Sequence, residues 1–292
     1  MPKPFEYFRP NTHREAQNLL AREDFTALPL IIQPKPIDPR RQGADAFVDM
    51  SLLNFDKVHT DSDGILHLGS QVTLQQLIDD PQLQKYPHSL LGQAASLVAT
   101  PGIRNLSTLW GAVVAQSGPA EIILALLAQD AQVVILGQGE SHRALPFQEF
   151  HAGLPDTLPR GELLSEIILP PQGTCAGSLE RIARTPRDEA IVAAVALLWE
   201  EAGVVSRVCL ALAGTHPIPQ RLPGVEKLLL GQALTPELME RAACMSIDSA
   251  KPVSDFRGGV DYRRAMAGLV VRRALSHAWD EAINTGEERG AP

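Results

Sequence analysis

The sequence predicts an α+β protein in two parts. A two-part α/β domain spans residues 1–172, with subdomains of about 1–55 and 56–172, and a C-terminal α+β domain with an antiparallel sheet and helices spans 173–292. Three observations predict it. Helix and strand signals mix as far as residue 169, in one small unit ending near residue 55 and a second that closes with Glu162 to Leu169. Pro170-Pro171-Gln172-Gly173 then punctuates the chain as a domain boundary does. Beyond it, three strand-like runs precede three helix-like ones, the order that packs helices on one face of an antiparallel sheet.

Thr12 and Glu15 have capping-box spacing, and Ala16, Leu19 and Leu20 give the following segment one apolar stripe, so a helix is expected over about 13–22. Ala27 to Ile32 reads as a buried strand. Pro34, Pro36 and Pro39 then keep the backbone out of any helix until Ala46-Phe47-Val48-Asp49 resumes strand character. Next comes a strand from Ile65 to Gly69, then two helices that Thr73 and Ser89 would cap, each standing before an apolar-periodic run. A helix near Pro119 to Gln129 starts with proline in its first turn and leads into a strand from Ala131 to Leu136. Gly137-Gln138-Gly139 lacks the third glycine and the helix of a dinucleotide fingerprint and is read as a hairpin turn. Glu162 to Leu169 is the last strand before the break.

In the second part, strands are expected near Ser178 to Ile182, Ile191 to Trp199 and Val204 to Ala213, with Glu200-Glu201-Ala202-Gly203 as the turn between the last two. Helices follow near Val225 to Leu230, Thr235 to Cys244 and Asp261 to Asn284, the second with Thr235 as cap and Pro236 at its first position.

At 292 residues and 45% hydrophobic content, the chain is long enough for two or three substructures with their own cores. Its net charge of -8 and lack of clustered Lys and Arg exclude a nucleic-acid binder, since phosphate neutralisation needs such clusters. Cys175, Cys209 and Cys244 form no Cys-x-x-Cys pair and no even disulfide set, so no iron–sulfur cluster or other metal is expected in this chain, and a reducing cytoplasm suits it. The N-terminus has no apolar signal region, and no apolar run is long enough to span a membrane. No catalytic set emerges: the eight histidines lack metal-ligand spacing, His142 and His151 read as solvent-facing loop residues, and no serine sits in a nucleophile-elbow context.

Five segments, in order, resemble one family. They are Pro4 to Pro10 running into Thr12-His13-Arg14-Glu15-Ala16, Ile103-Arg104-Asn105-Leu106-Ser107-Thr108-Leu109-Trp110-Gly111-Ala112, Gly153 to Leu169, Arg184 to Ala190, and Asp255-Phe256-Arg257-Gly258 with Tyr262 to Met266. Together they resemble the FAD-binding medium subunit of the molybdenum hydroxylases, the family of carbon monoxide, nicotinate and bacterial xanthine dehydrogenases. The resemblance implies a two-part FAD-binding (PCMH-type) domain and a C-terminal medium-subunit domain. It further implies docking with a molybdopterin-binding large subunit and an iron–sulfur small subunit.

In that family two glycine-rich loops cradle the FAD pyrophosphate, because backbone N–H groups must come close to phosphate oxygens and a side chain would stand in the way. Both loops are altered here. Ile32-Gln33-Pro34-Lys35 falls where the first belongs; Pro34 has no N–H to donate and Gln33 adds bulk. In the second, Thr108 and Gly111 match, but Trp110 replaces a glycine and Ala112 an asparagine. A hydrogen bond to a charged group contributes about 1.5–3 kcal/mol, so losing two weakens binding roughly a hundred- to ten-thousand-fold.

Compensating groups are Lys35, Ser107, Thr108 and Glu121, which stands where the family has an acid near the polar portion of the flavin. Each also has a plain structural reading: a solvated lysine, local backbone hydrogen bonds, and an acid in a first helical turn. Arg104 and Asn105 would either serve the cofactor or brace the loop as a buried pair. Trp110 would fill the cleft, stack on a flavin or face a partner, with filling the expectation.

Three functions stay open: a degenerate medium subunit that scaffolds the complex with weak or no FAD, a working FAD subunit passing electrons from iron–sulfur clusters to an acceptor, and a stand-alone binding or assembly factor. In all three, this chain alone performs no substrate chemistry.

Overall fold

The computed structural model describes residues 6–32, 43–85, 89–114, 118–186 and 188–290. Its contacts divide the chain into two compact units. One comprises Met1–Gln82, Ala99–Gly118 and Asp130–Pro171; the other comprises Leu83–Val98, Pro119–Gln129 and Gln172–Pro292.

The first unit opens with β1 (Glu6–Phe8), α1 (His13–Ala21), β2 (Ala27–Pro29) and β3 (Ala46–Val48). The strands form a parallel sheet in the order β1-β3-β2. The hydroxyl of Thr12 accepts the Glu15 N–H, while the Glu15 carboxylate takes the N–H of Asn11 instead of Thr12, so the capping box closes on one side only. Next in the chain come β4 (Val58–Thr60), β5 (Leu66–Gly69), α2 (Leu74–Asp79), α3 (Pro81–Lys85), α4 (Leu90–Ser96), α5 (Pro101–Arg104), α6 (Leu109–Val114) and α7 (Ala120–Ala128), of which α4 and α7 belong to the second unit. The chain then runs through β6 (Gln132–Leu136), β7 (His142–Pro146), α8 (Phe147–Ala152) and β8 (Leu163–Leu169). Antiparallel pairing orders the second sheet β4-β5-β8-β6-β7, with β8 in its middle.

Thr73 caps α2 with a complete box, its hydroxyl accepting the Gln76 N–H and the Gln76 side chain accepting the Thr73 N–H. Ser89 is a correction: its φ of 46° is left-handed, and its hydroxyl makes no capping bond to α4. The expected turn at 137–139 does join the antiparallel pair β6 and β7, with Gly137 N–H donating to Ser141 O.

The second unit carries β9 (Ala176–Ile182), β10 (Val192–Glu201), β11 (Val204–Ala213) and β12 (Gln220–Arg221), paired antiparallel in the order β12-β11-β10-β9. Then follow α9 (Pro223–Leu229), α10 (Pro236–Ser249) and α11 (Val260–Gly290). Val192 to Trp199 is buried without interruption, as in a strand covered on both faces. One face takes α11; Ala194, Ala196, Leu198, Leu210 and Leu212 join Val270, Val271, Ala274 and Leu275 in one core. Helices also come from earlier in the chain: α4 packs on β9, and α7 packs on β10, β11 and β12. The antiparallel sheet with helices on it is as expected from the sequence, and α4 and α7 are helices on that sheet which the sequence reading had placed in the first part. Both helices are largely apolar, and this sheet is one of the surfaces on which they are buried.

Candidate functional site

The residues expected at a cofactor site lie in three places. The first is the chain leaving β2. Leu30 N–H is still in the sheet, donating to Val48 O at 2.8 Å, after which Ile31 is buried and Ile32 is 43% exposed. Gln33, Pro34 and Lys35 lie outside the described residues.

The second place is the segment from α5 into α6. Its backbone amides are engaged in succession. Ser107 N–H donates to Ile103 O (2.9 Å), Thr108 to Ile32 O (3.2 Å), Leu109 to Val72 O (2.8 Å) and Trp110 to Ser70 O (2.7 Å). Gly111 N–H donates to the Thr108 hydroxyl (3.2 Å) and Ala112 to Thr108 O (3.0 Å). Every N–H from Ser107 to Ala112 thus has an acceptor inside the chain. Gly111 is needed for this closure: a Cβ there would run into the Ile32 carbonyl and come within 2.9 Å of Ile31 Cγ2. The chain leaving β2 therefore lies directly against the loop that it would have to part from to admit a phosphate.

Side chains complete the closure. Trp110 is 2% exposed, and Ser107, Leu109 and Ala112 are wholly buried, so the indole is core and faces no partner. Thr108 uses its hydroxyl locally. The Ser107 and Ser70 hydroxyls and Trp110 Nε1, by contrast, are buried with no hydrogen-bond partner. Arg104 is half-buried and donates from Nε to the Gln75 side chain (3.1 Å) and from Nη1 to Ala99 O (3.2 Å), bracing α2 against α5. Asn105 is exposed, so the two do not form the expected buried pair.

The third place is the start of α7, in the other unit. Glu121 is 4% exposed, and its carboxylate lies 3.2 Å from Arg181 Nε on β9. That contact is one of charge, since Arg181 Nε is not aligned for a hydrogen bond. The guanidinium also donates to Pro186 O and Asp188 O. The sequence reading gave Arg181 no role, although one signal pointed to it. Glu121 is the one ionisable residue in the helix Ala-Glu-Ile-Ile-Leu-Ala-Leu-Leu-Ala, and a buried carboxylate requires a cation from elsewhere.

His151 is a second correction. It lies on α8, 6% exposed and stacked on Phe147 with ring centroids 5.7 Å apart. Burial pushes its imidazolium pKa down; the Val113 backbone opposes this but makes no well-formed bond to either ring nitrogen. His142 is exposed on β7. His67 sits between Glu166 (3.1 Å) and Asp61 (3.4 Å) with His59 stacked on it, and among the described residues no group of three His, Cys, Asp or Glu side chains is placed to hold a metal. A groove of about 1170 Å³ between α10 and α11, lined by Met239, Cys244, Met245, Arg272, Arg273 and Trp279, contains none of the expected site residues. Among the described residues no helix is long and apolar enough to cross a membrane.

A pyrophosphate held by backbone amides needs N–H groups pointing into open space. The described residues do not fit that requirement, because the amides of the second loop are consumed within the fold and the acid that would support the flavin is paired with Arg181.

Comparison with known proteins gives two family matches. The FAD binding domain in molybdopterin dehydrogenase matches residues 3–172, and the CO dehydrogenase flavoprotein C-terminal domain matches residues 178–278. The chain is 34% identical over 217 residues to the carbon monoxide dehydrogenase medium chain of Hydrogenophaga pseudoflava, covering 73% of this chain and 74% of the relative. It is 28% identical over 291 residues to the corresponding chain of Afipia carboxidovorans, covering 97% and 100%. A solved structure of carbon monoxide dehydrogenase from Hydrogenophaga pseudoflava, lacking the Mo-pyranopterin moiety, superposes with a TM-score of 0.86 at 29% identity, covering 96% of this chain and 99% of that one.

Proposed function

We propose, given that this chain belongs to the FAD-binding medium-subunit family of the molybdenum hydroxylases, that it docks with a molybdopterin-binding large subunit and an iron–sulfur small subunit and serves their complex as a scaffold with weak or no FAD. The substrate chemistry belongs to the large subunit. The single observation carrying the scaffold reading is the closed run of amides from Ser107 to Ala112. To admit FAD, the chain would have to give up several of these bonds and draw Ile32 away from Gly111. Each exchange returns only the difference between two hydrogen bonds.

The second reading, a working FAD subunit that passes electrons onward, is favoured by the buried Ser107 hydroxyl and Trp110 Nε1, polar groups without an internal partner. The visible absorption of the purified chain, followed by titration with FAD, separates the two. The scaffold reading expects a colourless protein that takes up no added FAD. A flavin band near one per chain overturns it.

A further inference from the structure

Two of the family-like segments, Arg184 to Ala190 and Asp255 to Gly258, have no part in the cofactor question, and the second unit brings them together. Asp255 and Gly258 pair as an isolated antiparallel bridge, making 255–258 a tight turn with Phe256 near its tip. The Asp255 carboxylate accepts the backbone N–H groups of Arg257 (2.8 Å) and Gly258 (3.1 Å), Nε of Arg257 (3.2 Å) and Nη2 of Arg263 (2.7 Å). Arg263 is 5% exposed and also donates to Ile191 O, Gly214 O and Gly258 O, tying the turn to the sheet. Arg257 pairs with Glu189 from the other segment.

All this rigidity presents an aromatic ring to solvent. Phe256 is 82% and Val253 71% exposed, the two highest values for large hydrophobic residues among those described, and they lie three positions apart. Scattered exposed hydrophobics need no explanation, but a ring held out by a buried arginine and a carboxylate that accepts four hydrogen bonds does. The guanidinium carbons of Arg184 and Arg257 stand 5.6 and 5.4 Å from the ring centroid, close enough to hold it by cation–π attraction.

We infer that Phe256 is a docking knob, seated with Val253 in an apolar pocket of a companion subunit whose rim offers oxygen acceptors to Arg184, Arg257 being already held by Asp255 and Glu189. The acceptor rim follows from Arg184. Arg184 is half-exposed and, among the described residues, pairs with one carboxylate, that of Asp188 at 3.4 Å, so covering the knob takes guanidinium N–H groups out of water and requires acceptors for them. A preorganised aromatic beside arginine is also the composition in which interface energy concentrates, because little rotamer freedom is lost on docking.

This inference rests on the medium-subunit reading, and one experiment separates their failures. The full chain is titrated against the co-produced molybdopterin and iron–sulfur subunits as wild type, Phe256→Ala, Phe256→Leu and, as an exposed comparison in the same unit, Leu230→Ala. Phe256→Ala is expected to lose at least about thirty-fold in affinity at an unchanged melting temperature, with Phe256→Leu between it and wild type and Leu230→Ala at the wild-type value. Wild type that binds while Phe256→Ala stays within about three-fold, or a Leu230→Ala loss of equal size, overturns the knob and leaves the medium-subunit reading standing. Wild type that does not bind overturns both.

Discussion

Glu121 offers a clean test, because its two roles predict different losses. If it pairs structurally with Arg181, removing its charge strands a guanidinium whose side chain is 11% exposed. At 3.2 Å, and with the effective dielectric that describes buried sites, the pair's attraction is about 5 kcal/mol before desolvation is counted. Breaking such a pair from one side costs about 3–5 kcal/mol, while replacing both partners by apolar residues of similar volume comes out near neutral. Glu121→Gln should therefore lower the urea-unfolding free energy by several kcal/mol at an unchanged m-value. The double variant Glu121→Met/Arg181→Met should be more stable than Glu121→Gln alone, less a deduction for the bonds Arg181 makes to Pro186 O and Asp188 O. A double variant as unstable as the sum of the two single changes would refute the pairing argument. So would a Glu121→Gln protein of wild-type stability, which would return the carboxylate to a cofactor role.

Two further outcomes follow from titration and exposure. Burial pushes the Asp255 carboxyl up, but bonds from Arg263, Arg257 and Gly258 outweigh it and hold the pKa at about 2, against an ordinary 3.8. The stabilisation of a depressed carboxylate is present above its unfolded value and lost as pH falls through its folded one. Wild type should thus lose a stability component between 3.8 and about 2 that Asp255→Asn does not lose, as measured by thermal melts across that range. Among the thiols, burial pushes Cys175 up to about 12 and Cys209 is fully buried, while Cys244 is exposed. A native chain should therefore release one equivalent quickly with a thiol reagent at mildly alkaline pH and all three only when unfolded; three fast equivalents would contradict the packing around Cys175 and Cys209.

Elements set by local chemistry were legible in the sequence. Thr73 and Gln76 close a capping box from side chains three residues apart, and Glu200 to Gly203 turns β10 into β11 with the Gly203 N–H on the Glu200 carboxylate. Elements set by distant partners were not. β4 is three residues long and exists by pairing with β5, which leaves too little pattern to read. Ser89 stands before an apolar run as a cap would, yet its left-handed backbone is decided by the chain around it. His151 looks polar in a polar stretch and is drawn inside because α8 packs its ring on Phe147.

The site divides along the same line. That Trp110 takes a glycine's place is written in the sequence, and from it alone the deficit looks like two missing hydrogen bonds. The fold changes the meaning of that substitution. The acceptors of the second-loop amides are Ile103, Ile32, Val72, Ser70 and Thr108, three of them more than thirty residues from their donors. Trp110 is buried among wholly buried neighbours, and on the scaffold reading it fills the space that a phosphate would need. Restoring glycine at Trp110 would therefore remove a core side chain, at a cost of about 3–5 kcal/mol, before it could reopen any cleft. On the scaffold reading, a single reversal at position 110 is therefore expected not to bring about FAD uptake, which titration of Trp110→Gly with FAD checks.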